Sequence, residues 1–522
     1  MKPRSLAAAL SGAAVLTSAL TLSPSAGAEE GATTAGVSPL VLRAPATVTA
    51  RSYDGWVHSS LGVTMRAVGS DFEIRAQRLP SGVQSWWDPS YNSSEITATW
   101  KRWDAEGVPL ADKPLPADAM STWQGIDGFA SVQIFRDGKT EPIRNLSAAG
   151  CFNGWAVKVG PAGPTTNEYP WSCPWNPYTL GSVMGVSQDY SASLLPEWGV
   201  GLRLRPGTYT MAASIAPEWR EFFEIAEVDG VVESTLVVKE ARRNRRTAER
   251  AVPSGTDQLE QTTEAPTTQR SGELPDAHAP DLRSLPAFGI NLNGKGTSLR
   301  FGATVWNGGN GPMVIEGFRD DVSEDHMVAY QYYFDGQGQQ TGYEQVGEMH
   351  YHEANHNHWH FEDFARYRLM KADAEGNLTD EEAVPSTKAS FCLVATDAVD
   401  LTVPNADMRP EYTDLGSQCG GRNALWLREV LANGHGDTYH QYRAGQAFRV
   451  GKLEDGIYYV AVEANPDNAD GRNLQELDLT NNDSYRKIRL WTTPKGVRKV
   501  KSFKVGVVDE FYHGEFRQAA RP

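Results

Sequence analysis

MHYHEANHNHWHF, residues 349 to 361, holds five of the eleven histidines of this 522-residue chain: His350, His352, His356, His358 and His360. The core of the stretch alternates, His356-Asn-His358-Trp-His360. Side chains at i, i+2 and i+4 of a strand share one face. The spacing therefore predicts a strand or extended loop, because on a helix His358 would point away from the other two. Neutral imidazole is a common ligand for transition metals. The window has no cysteine, and its acidic pair Glu362-Asp363 follows it. A nitrogen-rich, thiolate-free set suits Cu(II) better than a structural zinc knuckle and leaves zinc open.

The rest of the chain fits the strand reading. Segments such as DFEIRAQRL, EITATWKRW, TYTMAASIA, IYYVAVEA and YRKIRLW alternate or carry β-branched and aromatic residues between Gly, Pro and Asn turns. We expect an all-β fold of two β-sandwich-like domains joined by a flexible linker, with the metal site in loops of the second domain. Residues 1–28 read as a secretory signal: Lys2 and Arg4, an apolar run from Leu6 to Leu22, and Ala26-Gly27-Ala28 as the cleavage site. Residues 29–240 form the first domain. Residues 241–273, basic and then rich in Thr, Gln, Glu and Pro, form the linker, and 274–522 the second domain. The expected location is extracellular, and the composition reads as bacterial. The net charge of −16 argues against nucleic acid as a partner and is compatible with cationic amines. Four cysteines in an exported chain suggest two disulfides. Of the three possible pairings, Cys151–Cys173 with Cys392–Cys419 keeps each bridge inside one domain.

Several stretches around the histidines resemble one family. HNHWHFEDFARYRL (His356 to Leu369) is similar to the copper-binding stretch of the lysyl oxidases. TKASFCL (Thr387 to Leu393) resembles the segment that carries their cofactor lysine, and GDTY (Gly436 to Tyr439) the segment that carries their cofactor tyrosine. NPDN and LDLTNND (Asn465 to Asp483) resemble the close of the family domain. LPDAHAPDL (Leu274 to Leu282) and LRFGATVWNGGNGP (Leu299 to Pro312) resemble its opening. The match runs over about residues 274 to 492. The resemblance implies that His356, His358 and His360 bind copper and that Lys388 and Tyr439 are joined as lysine tyrosylquinone. It further implies oxidation of peptidyl lysine or other primary amines to aldehydes with O2, releasing ammonia and hydrogen peroxide. The animal pattern has a Trp-His-x-Cys lead-in and more cysteines, where this chain has His352-Glu-Ala-Asn and four cysteines. That departure concerns the substrate surface and leaves the triad and the Lys/Tyr pair intact.

Such chemistry needs a base to remove the α-proton of the substrate. Asp437, two residues before Tyr439, is the nearest carboxylate in sequence. His350 and His352 are extra ligands or groups that orient ligands, and His435 and His440 are polar neighbours of the tyrosine. Two other classes compete. One is a non-enzymatic metal-binding, cell-wall or carbohydrate-associated β-sandwich protein, for which the tryptophans of the first half could supply a binding face. The other is a zinc hydrolase, but Glu353 and Glu362 fit no pattern such as HExxH. The Lys388–Tyr439 pair separates the readings, since a purely structural metal site has no need for it.

The chain also looks internally duplicated. Tyr190, Gly207, Tyr209 and Pro217 fall on Tyr439, Gly456, Tyr458 and Pro466 without a gap, at an offset of 249 (439 − 190). In the same alignment Cys151 falls on Cys392, Ala130 on Ala365 and Ser147 on Lys388. The first half then reads as a degenerate copy without the histidines or the lysine.

Overall fold

The structure of the protein is a computed structural model. It describes residues 38–78, 96–104, 107–196, 199–241, 264–352, 358–385, 388, 390–413, 415–443, 445–467 and 474–505. Of the described residues, 51% lie in strands and 4% in helices, so the fold is all-β as expected. No described helix is long and apolar enough to cross a membrane.

Three sheets surround the core of the C-terminal half. The first runs Ser390–Phe391, His358–Glu362, Gln340–His352, His326–Phe334, Met313–Phe318, Trp426–Leu431. The second runs Leu282–Leu292, Ser298–Asn307, His435–Tyr439, Asp397–Ala398. The third runs Leu378–Pro385, Ala365–Ala372, Gly456–Ala464, Asp483–Thr492, Arg498–Ser502. Every pairing along these three orders is antiparallel. The His358–Glu362 strand shows why the sequence folds this way. Trp359 and Phe361 point inward and are fully buried with Met349, Ile315, Phe301 and Tyr367. His358 and His360 take the opposite face, as a period of two requires. Trp359 also donates from Nε1 to the Gly421 carbonyl at 3.0 Å, and the Arg319 guanidinium lies 4.6 Å from its ring centroid.

Both disulfides form with the expected pairing, Cys151–Cys173 and Cys392–Cys419. The second ties the Ser390–Phe391 strand to the segment whose Cys419 carbonyl accepts the Trp359 amide at 2.8 Å. Two bridges fit an oxidising, extracellular setting. The lysine- and arginine-rich strand Arg498–Ser502 forms an edge of the third sheet, where its charges discourage further pairing. Part of the expected linker is ordered differently from the sequence reading. Arg270 and Ser271 pair with Glu344 and Tyr343 at the margin of the first sheet. A two-residue strand has no hydrophobic alternation to betray it.

The two halves share a local pattern. Gly207–Ile215 and Gly456–Ala464 are both nine-residue strands at the offset read from the sequence. Ile215 pairs with Ala130 as Ala464 pairs with Ala365. The Tyr209 hydroxyl donates to the Arg205 carbonyl at 2.8 Å, and the Tyr458 hydroxyl to the Glu454 carbonyl at 3.1 Å. A tyrosine bonding back to the chain a few residues upstream is a corner device of β-sandwiches.

Replacing Trp359 by Ala removes a fully buried ring and its hydrogen bond. Chemical denaturation should show a loss of about 3–5 kcal/mol of unfolding free energy.

Candidate active site

The short strand Ser390–Phe391 joins the first two sheets at the site. It pairs with the histidine strand, Glu362 opposite Ser390 and Phe361 opposite Phe391. The Phe391 ring meets the Tyr439 ring edge-on at 5.2 Å. Just before it, Lys388 is 8% exposed, and its Nζ lies 4.3 Å from the centroids of both the Tyr439 and Phe391 rings. The same amine donates to the Ser390 carbonyl at 3.0 Å. The Tyr439 hydroxyl donates to the Cys392 carbonyl at 3.3 Å, which fixes the ring's rotation. Lys388 and Tyr439, far apart in sequence, thus meet as an amine over a ring.

Burial lowers the Lys388 pKa from 10.5 to about 8, with Asp437 pulling the other way. Asp437 sits two residues before Tyr439 on the same strand, so the two side chains share a face. It is 4% exposed, and burial raises its pKa well above the usual carboxylate value, against the opposing effect of Lys388. Its Oδ2 has no hydrogen-bond partner among the described residues. Burial likewise raises the Tyr439 phenol. The apolar setting therefore favours the neutral forms of amine, acid and phenol. Glu429 and Gln446, which carried no sequence signal, are also fully buried with one oxygen each unpartnered among the described residues. Glu429 raises the Tyr439 pKa further, and Gln446 donates to the Tyr367 hydroxyl.

The histidines gather on the other side of Ser390. His358 and His360 lie on a strand rather than a loop, and His352 ends the neighbouring strand directly opposite His358. His356 lies outside the described residues. Nε2 of His358 and Nε2 of His360 are 2.9 Å apart. That is the length of an N–H···N hydrogen bond. The Nδ1 of His360 faces the Ser390 hydroxyl at 3.3 Å, and the Nε2 of His352 faces the same hydroxyl at 3.1 Å. Holding one ring nitrogen this way orients the other toward a ligand. Imidazoles without a thiolate are a donor set that Cu(II) and zinc both accept. Among the described residues the one group of three donors close enough to hold a metal ion is Cys392, Cys419 and Glu429, but its sulfurs form a disulfide and offer no thiolate.

The remaining histidines have other duties. His350 bonds Glu348 at 3.2 Å and lies across from His326. His435 is buried against the Asp407 carbonyl at 2.7 Å, and burial lowers its pKa. His440, one residue past Tyr439, stacks on Trp175 with centroids 4.8 Å apart. Glu362 is exposed and Glu353 lies outside the described residues. Ser390, which connects lysine and histidines, was visible only as a neighbour within TKASFCL. No family model and no curated protein matches this chain.

In metal-free protein, selective acylation of Lys388 followed by peptide mapping should titrate with a midpoint near pH 8, with the reactive neutral amine gaining as pH rises. Asp437→Asn removes a carboxyl whose charge supports the ammonium form, so the midpoint should fall. The same shift means that unfolded chain binds the extra proton between about pH 8 and 10.5, so this group's contribution to stability improves as pH rises through that window.

Proposed function

We propose that this protein is an exported, copper-dependent amine oxidase of lysyl oxidase type. It oxidises peptidyl lysine or other primary amines with O2, giving aldehyde, ammonia and hydrogen peroxide. One observation carries the reading: a desolvated lysine amine held 4.3 Å from the ring centroid of Tyr439, with paired imidazoles reached through Ser390. A structural metal site has no use for such a lysine.

On this reading His356, His358 and His360 hold the metal. Bound by these histidines, copper would supply with O2 the oxidising power for a Tyr439 quinone joined to Lys388, which would act as electron sink for the substrate amine. The chain's own residues do the rest. Burial keeps a fraction of Lys388 neutral, with its Nζ 4.3 Å from the centroid of the Tyr439 ring. The Ser390 carbonyl holds Nζ over that ring and the Cys392 carbonyl holds the phenol. Asp437, whose Oδ2 has no described partner, serves in its ionised fraction as the general base for the substrate's α-proton, and the pKa raised by burial makes that carboxylate a stronger base. Phe391, Tyr367 and Phe301 exclude water from the ring. The N-terminal half is a non-catalytic companion of the same ancestry, supported by the matching strands and tyrosine corners, with Ser147 where Lys388 would stand.

A second, compatible reading rests on Trp155 and Trp171, which are 64% and 57% exposed and could hold a cell-wall polysaccharide. Peptidoglycan co-sedimentation of Trp155→Ala with Trp171→Ala tests it, since retained binding would remove these residues from the account.

Mature protein loaded with copper in air should give a strong visible hydrazone band with phenylhydrazine. The band should be absent in Lys388→Ala and Tyr439→Phe. A folded, copper-loaded wild type without a band would exclude the oxidase.

A further inference from the structure

Several contacts join the N-terminal half to the C-terminal half, among them Gln77 to Thr402 and Arg409 to Asn167, and one segment, Trp175 to Gly181, reaches the tyrosine strand. It follows the Cys151–Cys173 bridge. Its backbone docks on the loop after Asp397–Ala398: the Leu180 amide donates to the Val399 carbonyl at 2.7 Å, and the Leu401 amide to the Gly181 carbonyl at 3.2 Å. Tyr178 is fully buried with Leu285, Phe288, Trp306 and Val399, and its hydroxyl meets Arg486.

Asn176 lies at the centre of this contact and is 1% exposed. Its Nδ2 donates to Thr304 Oγ1 at 3.0 Å and to Asp397 Oδ2 at 2.9 Å. Thr304 and Asp397 belong to the two strands that flank His435–Tyr439. One amide therefore spans the tyrosine strand across its back. Thr304 passes the contact on to Thr438, hydroxyl to hydroxyl at 2.6 Å. Asp397 also bonds Thr438, is raised to about 6 by burial, and raises the Asp437 pKa in turn. On the other side of Tyr439, His440 is stacked on Trp175 at 4.8 Å. Residues 438 and 440 share the face opposite Tyr439. The N-terminal half thus backs both neighbours of the tyrosine, His440 directly through Trp175 and Thr438 through Thr304 and Asp397, while the Tyr439 ring faces Lys388.

We propose that Asn176 and Trp175 are positioning residues for Tyr439, and that the N-terminal half is a working part of the site. The inference rests on the oxidase reading only for the rate of quinone formation. The placement of Lys388 against the ring can be read without it.

The test uses full-length mature protein carrying Asn176→Ala, Asn176→Gln or Trp175→Leu. In metal-free samples, Lys388 acylation is mapped against pH. In copper-loaded samples, metal content and the rate of hydrazone-reactive quinone formation are measured. Asn176→Ala and Trp175→Leu should move the Lys388 midpoint upward, as the amine loses its dry seat. They should bind copper as wild type does, yet form quinone about 10- to 100-fold more slowly, the scale expected for a misplacement of about 1 Å. Asn176→Gln, which keeps both donors, should recover part of the rate. If wild type forms no quinone, the oxidase reading fails and the Lys388 midpoint alone decides the positioning role. Should Asn176→Ala fail to fold, Trp175→Leu, which leaves the buried polar contacts alone, decides in its place. A wild-type midpoint and rate in the folded variants would overturn the proposal.

Discussion

A lysine amine taken out of water and set over a tyrosine ring is the constraint on which the site depends. Burying an ammonium is costly unless it is paired, and the protein accepts that cost at Lys388 with one carbonyl, two ring faces and a carboxyl in the same dry region. An isolated surface lysine would escape to solvent. Here Phe391 and the Cys392–Cys419 bridge hold the segment down, and the Gly445 backbone closes in, where an added Cβ would meet the Lys388 chain at 3.1 Å. A pKa pushed this far by burial in a region with a second perturbed group is a mark of a functional site.

The other parts follow from where that lysine must sit. Ser390 reaches both ways, with its carbonyl on the amine and its hydroxyl between two imidazoles. Strand pairing then sets the histidines. Because Phe361 faces Phe391 in the core, His360 and His358 must take the opposite face. The second sheet supplies the tyrosine, and the N-terminal half supports that sheet from its far side through Asn176. Packing, the Cys392–Cys419 disulfide and polar contacts all converge on the same short strand.

Some of this was legible in the sequence and some was not. Alternation around Trp359 predicted the strand and the shared face of His358 and His360, because period two is a property of neighbours in the chain. The disulfides followed from their order within each half. The regular spacing of Tyr209 and Tyr458 marked two strands that make the same hydroxyl-to-carbonyl bond. Asn176, Glu429 and Gln446 left no trace, because a buried polar residue is defined by partners far away in the chain, as Asn176 is from Thr304 at a separation of 128. Ser390 looked like spacer sequence, although its two ends connect the lysine and two histidines. The edge pairing of Arg270 and Ser271 was invisible for the same reason, its partner lying at Glu344 and Tyr343.

The central claim is covalent, so the most direct measurement is covalent as well. Protein matured with copper and O2 should be reduced, alkylated, digested and analysed by tandem mass spectrometry. The account predicts one cross-linked species joining the peptide of Lys388 to the peptide of Tyr439, with fragment ions placing the bond on those two side chains and with no such species in copper-free protein. Recovery of both peptides only as separate, unmodified ions from copper-loaded, air-exposed protein would contradict it.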